Sequence, residues 1–175
     1  VYKRQKWMLS IEGLGGFYIS QEVVDKIHPV TMGWGNVVNA ENFMNYDLTL
    51  KKDTKKFEEG TPNTMSIHAF GAALGLLLET GIKNIEKRVM SLGDCIITEL
   101  NQRDIKIYSS IQFAERSGNI SFVLDKDVNQ LYSFMLENKV KLTVRDGLVR
   151  FSPHFYNHEE EILKVFDLLD WYLKK

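Results

Sequence analysis

The chain has 175 residues, a mass of 20.3 kDa, 44% hydrophobic and 26% charged residues, which suits one well-packed core or two small lobes. Its 22 Lys and Arg residues nearly balance its 23 Asp and Glu residues, and a net charge of -1 argues against nucleic-acid or membrane-surface binding, which select basic surfaces. The single cysteine, Cys95, excludes an internal disulfide framework, and no apolar run approaches the roughly 18 residues of a membrane span, so we expect a cytoplasmic protein.

The first residues, VYKRQ, do not match the pattern that follows them. They contain no turn, cap or apolar period that leads into the next segment. Reverse-translated, they can be encoded by the end of a transposase adapter that is widely used to prepare sequencing libraries. We therefore expect Val1 to Gln5 to be foreign and natural sequence to begin at Lys6, so that the chain is the C-terminal piece of a longer protein.

The segment up to Gly60 combines a glycine-rich turn with a long irregular stretch. LSIEGLGGFYIS predicts two short strands, or a strand and its return. QEVVDKIHP predicts a short helix that Pro29 ends. Between Val30 and Glu59 the pattern is irregular, and a loop of that length is usually functional or poorly packed.

Two helices and a small α/β lobe are predicted next. Asn63 or Thr64 can cap a helix that ends at Gly81, and IKNIEKRVMSLGDCIITELNQ has apolar residues at helical spacing. Strands are predicted for IKIYSSI and NISFVL, and a helix is predicted for DVNQLYSFMLENK. A hairpin is predicted for VKLTVRD and GLVRFSP. The last helix has Asn157 as its predicted cap and Glu160 placed for a capping box.

Three separated motifs occur in the order and at about the spacing that they have in one known family. They are KWML followed by EGLGGFYIS, GW followed by FEEGTPN, and VRFSPHFYN before a glutamate-rich helix start. Together they resemble the class V aminotransferases, which are pyridoxal 5'-phosphate (PLP) enzymes of the aspartate aminotransferase fold type I. The resemblance covers the chain from Lys6 to its end. It implies an α/β fold, the C-terminal part of a PLP-dependent transferase: residues 1–60 as the end of the large domain, 61–102 as linking helices and 103–175 as a small α/β domain.

The resemblance implies roles for four residues. Lys6 matches the family's Schiff-base lysine, which holds PLP and can move protons at the substrate Cα. Placed between an apolar sheet edge and a glycine turn, this lysine would be partly desolvated. Thr61 matches a threonine that reaches the PLP phosphate of the neighbouring subunit, and Trp34 matches a tryptophan of the same site. Arg150 matches the arginine that binds the substrate α-carboxylate.

Elementary chemistry supports these roles, although each residue also has an ordinary structural explanation. Free N–H groups and the helix dipole favour an anion beside Thr61, and a guanidinium presents paired donors to a carboxylate. The ordinary explanations are a surface lysine for Lys6, a helix cap for Thr61 and core packing for Trp34. For Arg150 the ordinary explanation is an ion pair with one of the glutamates at 159–161.

The residues before Arg150 help to distinguish between the reactions of this family. Cysteine desulfurases of this family carry a nucleophilic cysteine on a mobile loop shortly before that arginine, but ENKVKLTVRDGLVR contains none. Cys95 lies far upstream inside a predicted helix, so persulfide transfer is disfavoured. The spacing of the motifs and the PHFYN ending more closely resemble the isopenicillin N epimerase-like branch, which mixes transaminases, epimerases and lyases.

We therefore expect a fragment of a PLP-dependent enzyme that acts on an amino acid by transamination, epimerisation or lyase chemistry. The full-length enzyme would be a homodimer with shared active sites, and the fragment alone would be inactive because most of the PLP site comes from upstream residues. The alternatives are a non-catalytic small-molecule-binding α/β module and an inert truncation product. No metal is expected, because His154 and His158 flank a predicted helix start and would not share a helix face.

Overall fold

The structure, a computed structural model, describes residues 6–175. The predicted foreign residues, Val1 to Gln5, lie outside this range. The chain divides into two compact units, a first that ends at Leu76 and a second that spans Leu77–Lys175. The predicted domain boundaries near residues 60 and 102 stay a prediction.

The regular elements of residues 6–175, in chain order, are two short 3-10 helices followed by four α-helices and three short strands. The 3-10 helices are Val24–Lys26 and Thr54–Phe57, and the rest are α1 (Thr64–Thr80), α2 (Ile82–Gln102), β1 (Ile120–Phe122), α3 (Val128–Glu137), β2 (Thr143–Arg145), β3 (Leu148–Phe151) and α4 (Glu159–Lys174). No single helix among the described residues has the length and apolar composition of a membrane span; α1 and α2 meet those criteria only as a bent pair counted together.

The first unit forms less regular structure than the sequence predicts. Within residues 6–63 there is no strand, so the two strands predicted in LSIEGLGGFYIS are absent, and the helix predicted before Pro29 is only the turn Val24–Lys26. An isolated bridge joins Val37 to Leu50. A strand without a paired neighbour leaves its backbone groups unsatisfied and is not stable by itself. Many large side chains here are consequently exposed, for example Tyr46 at 92%.

The helix α1 begins and ends as predicted. The Asn63 side chain caps it, because its Oδ1 accepts a hydrogen bond from the Ser66 backbone N–H at 3.1 Å. At the other end, the N–H of Gly81 donates to the Leu77 carbonyl at 3.0 Å, and Gly81 has a φ of +84°. A left-handed residue after the last turn ends a helix, and glycine adopts that conformation without a steric penalty.

The second unit is an antiparallel three-stranded sheet with helices on one face. The strand order is β1-β3-β2, which places β3 in the centre. Alternation along β3 buries Val149 and Phe151 on the helix side, where α2, α3 and α4 supply the rest of one continuous core. The predicted strand IKIYSSI reduces to a single bridge between Ile107 and Phe122. Fully buried core residues include Leu92, Ile96, Leu100, Ile120, Phe122, Leu131, Met135, Phe166 and Leu169.

The predicted hairpin between β2 and β3 is present. Asp146 and Gly147 connect the strands with φ values of 51° and 76°. Two successive left-handed residues are the requirement of a type I′ turn, and an aspartate followed by glycine is a favoured pair for it. The tight connection leaves no additional loop between the two strands.

Ion pairs connect α2 to α4. The Arg103 guanidinium donates to both carboxylate oxygens of Asp170 at 2.6 and 2.8 Å, and this hydrogen bonding lowers the pKa of Asp170. Near the other end of α2, about four turns from Arg103, Arg88 donates to Glu159 at 2.9 Å and to the Asn157 carbonyl at 2.9 Å. Arg88 on α2 and Arg103 directly after its last residue thereby hold the start of α4 and a position about one turn before its end.

The cap of α4 lies one residue later than predicted. His158, not Asn157, precedes the first helical residue, and its backbone N–H donates to the Glu161 carboxylate at 2.8 Å. The capping-box glutamate is therefore Glu161 and not Glu160. Asn157 still contributes, since its side-chain amide donates to the same carboxylate at 3.2 Å.

Candidate functional site

Lys6 opens a tight turn at the start of the described chain. Its carbonyl accepts a hydrogen bond from the Leu9 N–H at 3.0 Å, and Leu9 adopts a φ of 53°. The left-handed region is strained for a branched side chain. The Lys6 side chain is exposed in this chain, and its predicted desolvation in the complete enzyme stays a prediction. The prediction assumed a sheet edge beside the lysine, and no strand forms within residues 6–63.

A buried hydroxyl lies directly after the turn that begins at Lys6. Ser10 is only 7% exposed, and its Oγ has no hydrogen-bond partner among the described residues. A buried hydroxyl without a partner is costly, so this position has the capacity to bind a polar group.

The glycine turn lies against the GTPN motif. A Cβ placed on Gly13 would lie 3.7 Å from Nδ2 of Asn63, the cap of α1. Thr61 is exposed and precedes this cap by two residues. The structure therefore brings the segment after Lys6 close to the N-terminus of α1, where unpaired N–H groups favour an anion.

Trp34 lies beside the GTPN motif because its neighbours Gly33 and Gly35 let the two backbone segments come close together. The N–H of Gly35 donates to the Glu59 carbonyl at 2.9 Å. A Cβ on Gly33 would overlap that carbonyl oxygen. The indole Nε1 of Trp34 would lie 3.3 Å from a Cβ on Gly60, so the ring covers the residue before Thr61 while remaining 52% exposed.

A buried network of polar side chains stabilises the close contact between the backbone at Gly33–Gly35 and the backbone at Glu59. The Asn36 side chain accepts from the Gly33 N–H and donates to the Lys56 carbonyl at 2.6 Å. The Lys56 ammonium, itself buried, donates to the Val24 carbonyl at 2.5 Å. Sequence reasoning missed Asn36 and Lys56, because nothing in the sequence distinguishes them from ordinary polar loop residues.

Substituting Gly33 tests whether the close contact between Gly33 and the Glu59 backbone stabilises the first unit. Gly33→Ala is expected to destabilise the first unit by about 1–3 kcal/mol, because the added methyl group overlaps the Glu59 backbone. Gly15→Ala is the matched control, since a Cβ at Gly15 has no neighbour within 4 Å among residues 6–175. Hydrogen exchange of the backbone around Glu59 measures the effect, and equal protection in the two variants would contradict the prediction.

Arg150 occupies the centre of the sheet in the second unit. It pairs with Ser121 on β1 and Thr143 on β2, and it faces away from the helices because its neighbours Val149 and Phe151 face the core. Its Nε is buried and has no hydrogen-bond partner among the described residues. The guanidinium therefore retains donor capacity on the open face of the sheet.

The ordinary explanation for Arg150 is not observed. No ion pair joins it to the glutamates at 159–161 within the described part of the chain. Glu159 instead pairs with Arg88, and Glu161 caps α4. Arg150 belongs to the second unit, whereas Lys6, Trp34 and Thr61 belong to the first.

Cys95 lies on α2 and is half-buried. Burial, together with the charge of nearby Glu99, raises the pKa of its thiol, so the thiolate needed for nucleophilic attack is disfavoured. Among the described residues, no cluster of three or more His, Cys, Asp or Glu side chains is placed to hold a metal ion.

A family model described as "Aminotransferase class-V" matches residues 3–165. This chain belongs to the class-V aminotransferase family. Its relatives include an uncharacterized aminotransferase, YcbU, of Bacillus subtilis, which is 24% identical over 93% of this chain and 42% of its own length. A probable cysteine desulfurase of Pyrococcus abyssi is 27% identical over 93% of this chain and 43% of its own length.

Solved structures confirm the class-V fold. The cystine C–S lyase C-DES in complex with cysteine persulfide matches with a TM-score of 0.82 and 21% identity, over 93% of this chain and 43% of that one. A C-DES variant with glycine covalently linked to its PLP cofactor matches with a TM-score of 0.81 and 21% identity, over 92% of this chain and 42% of that one. The predicted fold, the C-terminal portion of a PLP-dependent class-V enzyme, is confirmed, as is PLP as the family's cofactor.

The chain spans about two fifths of the length of the relatives and structures that it matches. The isopenicillin N epimerase-like branch stays a prediction, as do the homodimer and the cytoplasmic location.

Proposed function

We propose that this chain is the C-terminal portion of a PLP-dependent enzyme of the cytoplasm that acts on an amino acid by transamination, epimerisation or elimination. The observation that carries the proposal is Arg150, a central-strand arginine whose guanidinium has a buried Nε without an acceptor among the described residues. Because buried guanidinium groups elsewhere are held by carboxylates, an amino-acid carboxylate is the acceptor that fits this position.

The residues of the first unit fit a phosphate-bearing cofactor. The Ser10 hydroxyl is buried without a partner among the described residues, and Thr61 offers an exposed hydroxyl just before the N-terminus of α1. Hydroxyls and a helix N-terminus suit phosphate oxygens. Thr61 would bind the phosphate, in a site shared with the partner subunit of a homodimer, and the Trp34 indole would limit access of water to it.

The proposed chemistry assigns separate tasks to Lys6 and Arg150. When bound, PLP supplies an electron sink for the negative charge that develops at the substrate Cα. The Lys6 amine would attach the cofactor, accept the Cα proton and return it to the carbon that the reaction requires. Arg150 would hold the substrate carboxylate with two parallel hydrogen bonds and so fix the direction of the Cα–H bond.

Persulfide transfer does not suit this chain. The Asp146-Gly147 turn joins β2 directly to β3 and leaves no space for a cysteine-bearing loop before Arg150. Burial raises the pKa of the Cys95 thiol. These features support transamination, epimerisation or elimination over a cysteine nucleophile.

Covalent labelling tests the proposed role of Lys6. The full-length protein is incubated with PLP, reduced with sodium borohydride, digested and mapped by mass spectrometry. We expect a pyridoxyl group on Lys6, with labelling lost in Lys6→Arg and retained in Lys52→Arg, which removes an exposed lysine from the same unit. A label on another lysine would overturn the assignment, and no label would favour a non-catalytic binding module.

A further inference from the structure

All five arginines in the described chain lie in the second unit, and they fall into two groups. Three of them form ion pairs with carboxylates, namely Arg88 with Glu159, Arg103 with Asp170 and Glu99, and Arg116 with Asp94. The other two, Arg145 and Arg150, form no ion pair with any residue in the range 6–175. The unpaired arginines are the two that lie on the sheet.

Both unpaired arginines lie on the same face of that sheet. Thr143 pairs with Arg150 and Arg145 pairs with Leu148, so Arg145 is the diagonal cross-strand neighbour of Arg150. Side chains two residues apart on a strand share a face, and diagonal neighbours are roughly 7–8 Å apart. Arg145 is exposed and Arg150 is half-buried, which places the first at the rim of the face and the second near its centre.

The strands supply no negative charge to this face. Its members from β1, β2 and β3 are Ser121, Thr143, Arg145, Leu148 and Arg150, given the burial of the alternate residues on the helix side. The nearest acidic residue in sequence, Asp146, lies in the turn and outside the strands. Two positive charges this close repel each other, and an anion bound between them would offset the repulsion.

We propose that Arg145 is a specificity-determining residue, and that the enzyme acts on amino acids that carry a second carboxylate on the side chain. Arg150 binds the α-carboxylate and Arg145 binds the side-chain carboxylate at the rim of the sheet. The inference rests on the proposed function, since it takes Arg150 as the α-carboxylate site. It goes beyond that function by naming the substrate class and the residue that selects it.

Binding of unreactive carboxylates tests the inference without catalysis. Glutarate and pentanoate have the same chain length, and neither has an amino group that could react with PLP. Isothermal titration calorimetry with the full-length, PLP-loaded protein is expected to show glutarate binding at least about tenfold more tightly, the value of one charge-assisted hydrogen bond. Arg145→Gln removes that preference, Arg145→Lys retains part of it, and pentanoate affinity stays the same.

Lys164→Gln is the matched control, because it removes one positive charge from an exposed position on α4, in the layer on the other side of the sheet. It should leave the preference for glutarate intact. Equal affinity for the two ligands, absence of glutarate binding, or a preference that survives Arg145→Gln would each overturn the inference. Labelling of Lys6 by PLP and borohydride tests the proposed function in a separate experiment. A failure of the proposed function can therefore be distinguished from a failure of this inference.

Discussion

Replacing Phe166 by alanine is expected to lower the free energy of unfolding of this chain by about 3–5 kcal/mol, as is typical for a buried phenylalanine. Phe166 is completely buried on α4. Its ring packs edge-on against Phe151 of the sheet at a centroid distance of 5.8 Å, and the Arg103 guanidinium lies 4.9 Å from its centroid. The substitution would therefore leave a cavity at the junction of the sheet, α2 and α4.

Leu163→Ala on the same helix is the matched control. Leu163 is 44% exposed, so its truncation should cost no more than about 1 kcal/mol. Urea denaturation followed by far-ultraviolet circular dichroism measures both variants. Similar losses at the two positions would contradict the assignment of Phe166 to the centre of the core.

Replacing Arg150 by methionine in the full-length enzyme is expected to weaken binding of the amino-acid substrate by about 10²-fold, the value of charged hydrogen bonds to a carboxylate. The same change should leave stability nearly unchanged, because the guanidinium has no ion pair within the described chain. Arg150→Lys keeps the charge but loses the paired donors, so an intermediate loss of affinity is expected. Substrate titrations and thermal unfolding measure the two effects.

For Arg103→Met we expect the opposite result, a loss of stability with little loss of substrate affinity. Arg103 is paired with Asp170 and Glu99, so its loss leaves both carboxylates without their partner and should destabilise the fold. Its effect on substrate affinity should be small by comparison. If Arg150→Met destabilised the protein as much as Arg103→Met and left affinity unchanged, Arg150 would be a structural residue.

The elements that could be predicted from the sequence are those whose signals are local. The bounds of α2 match the predicted helix, because its apolar residues repeat at helical spacing and Gly81 precedes it. The turn at Asp146-Gly147 is likewise a property of two adjacent residues. The one-residue error at the start of α4 came from two neighbouring polar residues, Asn157 and His158, that can each precede a helix.

The features that could not be predicted depend on contacts between distant residues. The strands expected around Gly13 need paired neighbours, and none forms within residues 6–63. The same missing neighbours leave Lys6 exposed. The carbonyl contacts of Asn36 and Lys56 join residues far apart in the chain, so no local pattern reveals them. Arg150 was predicted from its motif, whereas its relation to Arg145 required the strand register.

The uneven distribution of apolar surface has a consequence during synthesis. Most of the large apolar side chains that are exposed in the described chain lie before Leu77, and the continuous core lies after it. Translation proceeds from the N-terminus, so the residues without a core leave the ribosome before those that form one. Nascent segments with exposed apolar surface are the ones that chaperones bind and that aggregate when unprotected. We therefore expect the segment before Leu77 to be the part of this polypeptide that most needs cover from other protein surface while it is made.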